Sequence, residues 1–270
     1  MLHEWSPETV TRIHLRRKVS VAVLVIDDFT GRPVTCADLS VSAEQMLGKP
    51  VRKGDGYFLF LDCPVPALDI TAQAWAYHPG RVRVEPEKLS PLRPVIKLRL
   101  TPNRNYSIPN QTTCLEGCAL PGTLLRVFCE NDPRPLRLLY DYAKKGDAAG
   151  CLLQLYDPTA SDQEGRQFAL LRKGETEPEC FEVRETGEEG DCLLTAPLAR
   201  DCKKAGTTVL PISTAIADGE GRFFLPLRSL PVKSYQCRIL WTAPDGTRGQ
   251  QALELEPGRV TTLDLCKKNP

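Results

Sequence analysis

Histidine is scarce in this sequence, and this limits the catalytic chemistry that the chain can support. Only three histidines occur among 270 residues, and two of them, His3 and His14, stand near the N-terminus. The third, His78, directly precedes Pro79 and Gly80, a pattern that is typical of a turn. A nucleophilic triad needs a base beside its nucleophile, and histidine is the usual one. We therefore expect no histidine-based active site and interpret His78 as a solvent-exposed turn residue.

The familiar motifs of nucleotide-binding and hydrolytic sites are missing too. The sequence has no Gly-x-Ser-x-Gly turn, no Walker A loop, no Gly-x-Gly-x-x-Gly fingerprint and no His-Glu-x-x-His pair. Carboxylates do cluster between residues 175 and 191, and a pair of them is the remaining route to acid–base hydrolysis. They alternate with lysine, glycine, threonine and proline, which favours an exposed hairpin and loop. We predict that the protein is not an enzyme and has no catalytic residues.

Net charge and long hydrophobic runs are also lacking. The 35 basic residues and 34 acidic residues leave a formal charge of +1, so no net field attracts nucleic acid or anionic lipid. The apolar run 19–26 follows three basic residues, as in a signal peptide, but it is short, ends at two aspartates and precedes no cleavage site. It is also too short to span a bilayer. We expect a cytoplasmic protein with no nucleic-acid partner and no membrane insertion.

Cysteine is plentiful, since the chain has 11, but the pattern does not predict a disulfide framework or a metal site. The number is odd and no export signal accompanies it, so we expect reduced thiols that pack as small apolar groups. The pairs Cys114 with Cys118 and Cys192 with Cys202 lack the two Cys-x-x-Cys knuckles of structural zinc sites. The segment 218–221, Asp-Gly-Glu-Gly, is typical of a tight turn and lacks the ligand pattern of a calcium loop. We predict no metal and no cofactor.

Proline and glycine, with 23 and 19 residues, are scattered along the whole chain and favour many short strands over long helices. The run 19–26 predicts a strand buried on both faces, and alternating or aromatic runs predict further strands at 38–43, 57–61, 70–77 and 95–100. Residues 135–145 leave a helix open as the alternative to a strand, because their apolar residues fall near helical spacing. The sequence therefore predicts an all-β fold.

A weak internal repeat organises these strands. The segment DGYFLF at 55–60 is followed by a strand containing Trp75 and a turn at 78–80. The segment EGRFFL at 220–225 is followed by a strand containing Trp241 and a turn at 244–246. Each copy closes with an alternating strand, at 95–100 and 261–265, so we expect two copies of one structural unit.

Prolines and asparagines interrupt the pattern between the two copies and mark a boundary. The predicted organisation is an N-terminal segment at 1–18, a first β-sandwich module at 19–101, a short tether at 102–112 and a second module at 113–270.

The order of turn, aromatic strand, Leu-Pro turn and tryptophan strand resembles the carboxypeptidase regulatory-like, transthyretin-like family. The likeness covers 19–100 and, in the second half, mainly 218–265. It implies two tandem immunoglobulin- or transthyretin-like β-sandwich domains, with 114–118 as the first strand of the second and a large insertion at about 120–215. The arrangement, with its linker at 106–109 and the segments 194–200 and 204–207, is also similar to accessory proteins of phage-tail-like contractile injection particles.

These resemblances imply a non-enzymatic structural or adaptor protein whose partners are other protein subunits of an assembly. The alternative is a carbohydrate-binding module that stacks Trp75 or Trp241 on a sugar, although a repeated tryptophan on a sandwich strand favours packing in the core or against the neighbouring module. A hydrolase built on the carboxylates of 175–191 is the third hypothesis. Whether a small molecule binds is left open at this point.

Overall fold

The computed structural model describes residues 17–144, 151–187 and 189–266, and it consists almost wholly of β-strands. Among these residues 3-10 conformation occurs only at the turn Pro86–Lys88 and at Cys151, and there is no α-helix. The predicted all-β fold is confirmed. Parts of the sequence predictions lie outside the described residues: the predicted N-terminal segment up to residue 16, with His3, His14 and Arg16, then Lys145, Glu188 and residues 267–270.

The strands fall into three groups along the chain. The first group is β1 (Val19–Asp27), β2 (Ser40–Ala43), β3 (Val51–Arg52), β4 (Tyr57–Leu61), β5 (Leu68–Gln73), β6 (Gly80–Val84) and β7 (Val95–Leu100). After it come β8 (Cys114–Cys118), β9 (Leu124–Cys129), β10 (Arg137–Leu138), β11 (Leu152–Tyr156), β12 (Gln167–Arg172), β13 (Glu179–Thr186), β14 (Asp191–Leu194) and β15 (Thr207–Pro211). The last group is β16 (Ser213–Ile216), β17 (Arg222–Pro226), β18 (Tyr235–Thr242), β19 (Arg248–Leu255) and β20 (Val260–Asp264).

The first group forms two facing sheets with one buried core. One sheet has the order β3-β4-β1-β7 and the other β2-β5-β6. In β4 the alternation of side chains along a strand places Phe58 and Phe60 inward, in the same core as Ile70 of β5 from the opposite sheet. Strand β1 is buried over most of its length, as its apolar sequence predicts.

The first and last strand groups share one pairing scheme. Strand β1 pairs antiparallel with β4 and parallel with β7. Strand β8 pairs in the same way, antiparallel with β17 and parallel with β20. The turns before β4 and β17 also match, because Gly56 and Gly221 both have a left-handed backbone, with φ of 80° and 75°. The sequence repeat therefore corresponds to a repeated topology.

Strand β8 approaches β20 so closely that Gly117 has no room for a side chain. A Cβ atom at this position would lie 1.7 Å from the carbonyl oxygen of Leu263. The second sandwich is completed by the sheet β16-β9-β18-β19, and its core includes Phe223, Tyr235 and Ile239.

A third core lies within the predicted insertion. Strands β10 to β15 form a sheet with the order β10-β11-β14-β13-β12-β15. Its two outer strands also meet, because Leu136 and Val209 exchange backbone hydrogen bonds of 2.9 and 3.2 Å. The sheet therefore closes on itself around buried side chains that include Phe168, Leu170 and Val183. We call this unit the closed sheet.

The closed sheet is attached to the second sandwich by an apolar cluster of its own. Phe128 of β9 packs with Ala169, Leu210 and Ile212, and all four side chains are buried. Strand β9 belongs to the second sandwich, so the chain leaves that sandwich after Cys129 and returns to it at β16. The module boundaries themselves stay predictions.

Three local features differ from or resolve what the sequence predicts. Residues 135–144 contain the short strand β10 and no helix, which decides the alternative left open for that part of the segment. Trp75 lies beyond the end of β5 and is 74% exposed, so the core position favoured for it is wrong. Trp241 is part of the longer strand β18 and packs against the core of the second sandwich.

Among the described residues, no helix has the length and apolar character needed to cross a membrane.

Candidate functional site

Four charged residues from distant parts of the chain meet where the three cores adjoin. Asp28 follows β1, Arg99 is in β7, Arg166 precedes β12 and Arg228 follows β17. The Nη2 atom of Arg228 donates a 2.8 Å hydrogen bond to the backbone oxygen of Asp28, and Nη1 of Arg99 lies 3.8 Å from its carboxylate. Residues of both sandwiches and the closed sheet thus form one charged junction.

The first sandwich is also bound directly to the loop 157–166 of the closed sheet. Lys97 lies 2.8 Å from the carboxylate of Asp162 and 2.9 Å from that of Glu164. The Nε atom of Arg99 donates to the backbone oxygen of Glu164 at 2.8 Å. The Lys97 and Arg99 side chains are largely buried, so these contacts are less screened by solvent than surface ion pairs are.

Asp157 organises this loop from within. Its carboxylate accepts hydrogen bonds from the backbone and hydroxyl groups of Thr159, at 2.7 and 2.6 Å. It also accepts from the backbone and hydroxyl groups of Ser161, at 2.9 and 2.8 Å. Burial acts to raise the pKa of Asp157, but these hydrogen bonds outweigh it and lower the pKa. The loop therefore has a fixed conformation that positions Arg166.

The charges at the junction perturb one another. Burial raises the pKa of Asp28, although the charges of Arg99, Arg228 and Arg166 act against this. Burial, together with the nearby charges of Arg228 and Arg99, lowers the pKa of Arg166 to about 9. The protonated form of Arg166 is thus less stable in these surroundings than that of an arginine in water.

A cavity of about 170 Å³ opens beside this junction, between the closed sheet and the second sandwich. Arg166 and Arg228 line it, together with Arg134 and the carboxylate-bearing Asp132. Its apolar wall consists of Val127, Phe128, Cys129, Leu136, Pro211, Leu227 and Leu230. The remaining lining residues carry hydroxyl groups: Thr159, Ser161, Ser213 and Ser229. We call it the arginine cavity. Guanidinium groups beside hydroxyls and apolar carbon suit the binding of an anion.

The structure places the histidine and tryptophan candidates apart from this cavity. His78 is half-buried, so the interpretation of His78 as a solvent-exposed turn residue is wrong. Burial lowers the pKa of His78, and the nearby Asp218 acts in the opposite direction. Trp75 is held at the surface by its backbone, which donates to Asp38 at 2.6 Å and accepts from Asn103 at 2.9 Å. Trp241 covers Gly249 of the neighbouring strand β19, where a Cβ atom would lie 2.1 Å from its ring.

The acidic segment does not form a joint site among its described residues. Glu175 and Glu179 both contact Arg172, and Glu175 also pairs with Arg200 at 2.9 Å. Glu182 faces Gln167 across the strand pair instead.

The turn at 218–221 matches its prediction, because Asp218 accepts hydrogen bonds from the backbone N–H groups of Glu220 and Arg222 at 2.9 Å each.

The cysteines are all free thiols. Cys114 is buried and Cys118 exposed on the same strand, while Cys192 and Cys202 are both buried in the closed sheet. The described residues contain no group of three or more histidine, cysteine or acidic side chains that could hold a metal ion.

One pair of cysteines was not singled out from the sequence. Cys129 and Cys237 lie opposite each other on β9 and β18, with their sulfur atoms 3.2 Å apart.

Sequence reasoning missed the arginine cavity because its charged residues belong to three separate loops. Asp132 and Arg134 share one loop and Ser161 and Arg166 another, and no motif links these loops to each other or to Arg228. Comparison with known proteins supplies no assignment either: no protein-family model matches this chain, and no curated protein matches it.

Proposed function

We propose that this protein is a non-enzymatic structural or adaptor protein that acts through contacts with other protein subunits. Buried contacts support this proposal, because they join the two sandwiches and the closed sheet into one body. Arg228 joins the second sandwich to Asp28 of the first, and Lys97 and Arg99 join the first sandwich to the loop 157–166 of the closed sheet. The Phe128 cluster fixes the closed sheet to the second sandwich. A body of this kind holds its outer surfaces in fixed relative positions, which suits a protein that organises others.

The observation that carries the proposal is the open edge of β19. This strand pairs with β18 without a register shift over all eight of its residues and is the last strand of its sheet. It contains no proline and only two charged residues, Arg248 and Glu254. Natural edge strands are usually short, bulged or protected by charge and proline, because an open edge accepts a further strand. We assign this edge as the place where a partner strand pairs.

The pairing pattern identifies which backbone groups of β19 face outward. The backbone N–H of Glu130, which follows β9, donates a 2.7 Å hydrogen bond to the backbone oxygen of Gln236. The N–H and C=O groups of Gln236 therefore point towards β9. Because the direction of these groups alternates along a strand, the N–H and C=O groups of Cys237 point towards β19. The N–H and C=O groups of its partner Leu253 point towards β18. The next residue, Ala252, therefore has its N–H and C=O directed away from β18 and free for a partner.

A second surface for contact lies on the outside of the closed sheet. Leu152 and Tyr156 are exposed on the same face of β11, and Leu193 stands opposite Leu152 on the adjacent β14. Exposed apolar and aromatic side chains grouped on a sheet are typical of interaction surfaces.

Within this proposal, we assign the protein to phage-tail-like contractile injection particles as an accessory component. The support is the arrangement of first sandwich, linker at 106–109 and second sandwich with an inserted unit. The cytoplasmic localisation expected from the sequence is part of the same proposal.

The test is affinity purification of tagged protein from its native host, with the edge altered in one variant. Ala252→Pro removes an outward N–H without breaking the β18 pairing, because edge strands accept proline at such positions. We expect wild-type protein and the control Ala252→Thr to recover the same set of subunits, with sheath, tube or baseplate proteins among them, and Ala252→Pro to lose them. Equal recovery by all three variants would overturn the role of the edge, and recovery of no stoichiometric subunit by the wild type would overturn the adaptor function.

A carbohydrate-binding function is the second candidate, and the exposure of Trp75 favours it. The indole is 74% exposed, and Asp38, Asn103 and Asn105 fix the backbone that carries it. A rigid exposed ring is suited to stacking on a sugar. Binding to a glycan array that Trp75→Ala abolishes and Trp241→Phe retains would support this function in place of the first.

A further inference from the structure

We propose that the arginine cavity binds an organic carboxylate, with Arg166 and Arg228 holding the anionic group and the apolar wall holding its hydrocarbon part. This site is separate from the β19 edge and does not depend on the adaptor function. It gives the protein a small-ligand site that its fold alone would not suggest.

An excess of positive charge is the first observation that supports this site. The lining contains Arg134, Arg166 and Arg228 but only one carboxylate, that of Asp132, which accepts a hydrogen bond from the backbone of Arg134. Among the described residues, no carboxylate oxygen lies within 4.0 Å of the guanidinium nitrogens of Arg166 or Arg228. Asp28 acts on both guanidinium groups only at longer range, so the buried Arg166 and the half-buried Arg228 lack the directly paired anion that buried arginines normally have.

Unused hydrogen-bond donors are the second observation. Arg166 is only 5% exposed, and its hydrogen bonds to Ser161 and Gln163 both come from Nη1, at 3.3 and 3.5 Å. Arg228 uses Nη2 for the backbone oxygen of Asp28. The Nε and Nη2 groups of Arg166 and the Nε and Nη1 groups of Arg228 have no partner among the described residues. A guanidinium fork with two free N–H groups matches the two oxygens of a carboxylate.

The electrostatics of the junction agree with this geometry. Burial and the neighbouring cations Arg228 and Arg99 lower the pKa of Arg166 to about 9. Burial also lowers the pKa of Arg228, which Asp28 partly offsets. A bound anion between the two guanidinium groups would stabilise both charges.

The apolar wall decides between classes of anion. Phe128, Leu136 and Leu227 are buried side chains that face the same cavity as the arginines. Inorganic phosphate or sulfate would leave this wall without contacts, whereas a carboxylate with a short hydrocarbon chain would cover it. The volume of about 170 Å³ is several times the roughly 30 Å³ that one water molecule takes up in the liquid, so such a ligand fits.

Two sources can supply this chemistry: a free carboxylic acid, or the C-terminal carboxylate and last apolar side chain of a partner subunit. Isothermal titration of the full chain distinguishes them with hexanoate, hexanamide, inorganic phosphate, and a short peptide ending in leucine with a free or an amidated C-terminus. We expect hexanoate or the free peptide to bind, and hexanamide, the amidated peptide and phosphate to bind at least about tenfold more weakly, since a charge-assisted hydrogen bond contributes about 1.5–3 kcal/mol. Tighter binding of the free peptide than of hexanoate assigns the site to a partner's C-terminus, and the reverse order assigns it to a free acid.

Substitutions test whether the arginines of the cavity bind the carboxylate. Arg228→Gln should weaken binding about ten- to a hundredfold. Arg134→Gln, at an exposed position in the lining, should weaken it less and cannot disturb a core. The matched control Arg222→Gln lies on the same sandwich outside the cavity, paired with Asp218, and should leave binding unchanged. Circular dichroism checks that Arg228→Gln folds; if it does not, Arg134→Gln and the choice among probes decide.

Absence of binding by every carboxylate at millimolar concentration would overturn the proposal. Equal binding of hexanoate and hexanamide would overturn the role of the arginines, and phosphate binding as tightly as hexanoate would overturn that of the apolar wall.

Discussion

The hydroxyl group of Tyr106 donates a 2.5 Å hydrogen bond to the carboxylate of Asp27, at the end of the first strand. The same carboxylate accepts from the backbone of Phe29 and the hydroxyl of Thr30, and the Tyr106 ring makes edge contacts with Phe29 and Tyr77. The sequence predicts a tether at 102–112, but this contact fixes its centre to the first sandwich. The linker is therefore part of the rigid body.

Replacement of Tyr106 by phenylalanine tests that contact. Asp27 is buried, so loss of the hydroxyl leaves a carboxylate oxygen with one donor fewer. We expect Tyr106→Phe to lower the free energy of unfolding by about 1.5–3 kcal/mol in urea titrations. Tyr140→Phe, at a side chain that is 67% exposed, serves as the control and should have no measurable effect. Equal stability of the two variants would show that the linker is not held in this way.

Substitution of Gly117 by alanine tests the parallel pairing of β8 with β20. The added Cβ atom would meet the backbone oxygen of Leu263, which cannot move aside as a flexible side chain can. We expect a loss of about 3 kcal/mol or more and early proteolysis of the C-terminal strand. Gly219→Ala is the matched control, because a Cβ atom there would meet nothing within 4 Å. A Gly117→Ala protein as stable as this control would contradict the described pairing.

The pH dependence of stability tests the Asp157 loop. Hydrogen bonds from Thr159 and Ser161 outweigh burial and lower the pKa of Asp157 in the folded protein below its unfolded value of about 3.9. The resulting stability is present above that unfolded value and is lost as the pH falls through the folded one. Between pH 5 and about pH 3, wild-type protein should therefore lose more stability than Asp157→Asn, with Thr159→Val in between. Parallel profiles for the three proteins would show that the carboxylate does not organise the loop.

Thiol oxidation tests the facing pair Cys129 and Cys237. Their sulfur atoms are 3.2 Å apart at paired positions, so a mild oxidant such as diamide should join them in a disulfide. The hydrogen bond to Cys129 and burial both raise the pKa of the Cys237 thiol, which makes the reactive thiolate scarce. Peptide mapping should find exposed Cys118 modified first and the Cys129–Cys237 disulfide only later. Modification of Cys237 before Cys118 would contradict its burial.

Local sequence patterns predicted much of the fold. The glycine turn at 53–56 and the aromatic run at 57–61 predicted β4 to the residue. The repeated glycine turns marked equivalent strands because a left-handed backbone strongly favours glycine. The closed sheet was not foreseen, because its closure joins Leu136 to Val209 across a long stretch of short strands. Trp75 failed as a core prediction because β5 ends two residues before it, and strand ends are poorly marked by periodicity.

The candidate site was beyond sequence patterns for a related reason. Asp28, Arg99, Arg166 and Arg228 belong to four separate segments, and each alone resembles an ordinary surface charge. Only the meeting of the three cores buries them together and leaves the two arginines beside the cavity without a paired carboxylate.

Gradient sedimentation of native lysate, comparing wild type with Ala252→Pro, tests the central claim most directly. The account predicts that wild-type protein sediments in a large assembly with fixed stoichiometry, while the proline variant, equally folded, stays at the position of the 30.0 kDa chain. Wild-type protein that sediments alone, or a proline variant that enters the assembly as readily as wild type, would contradict it.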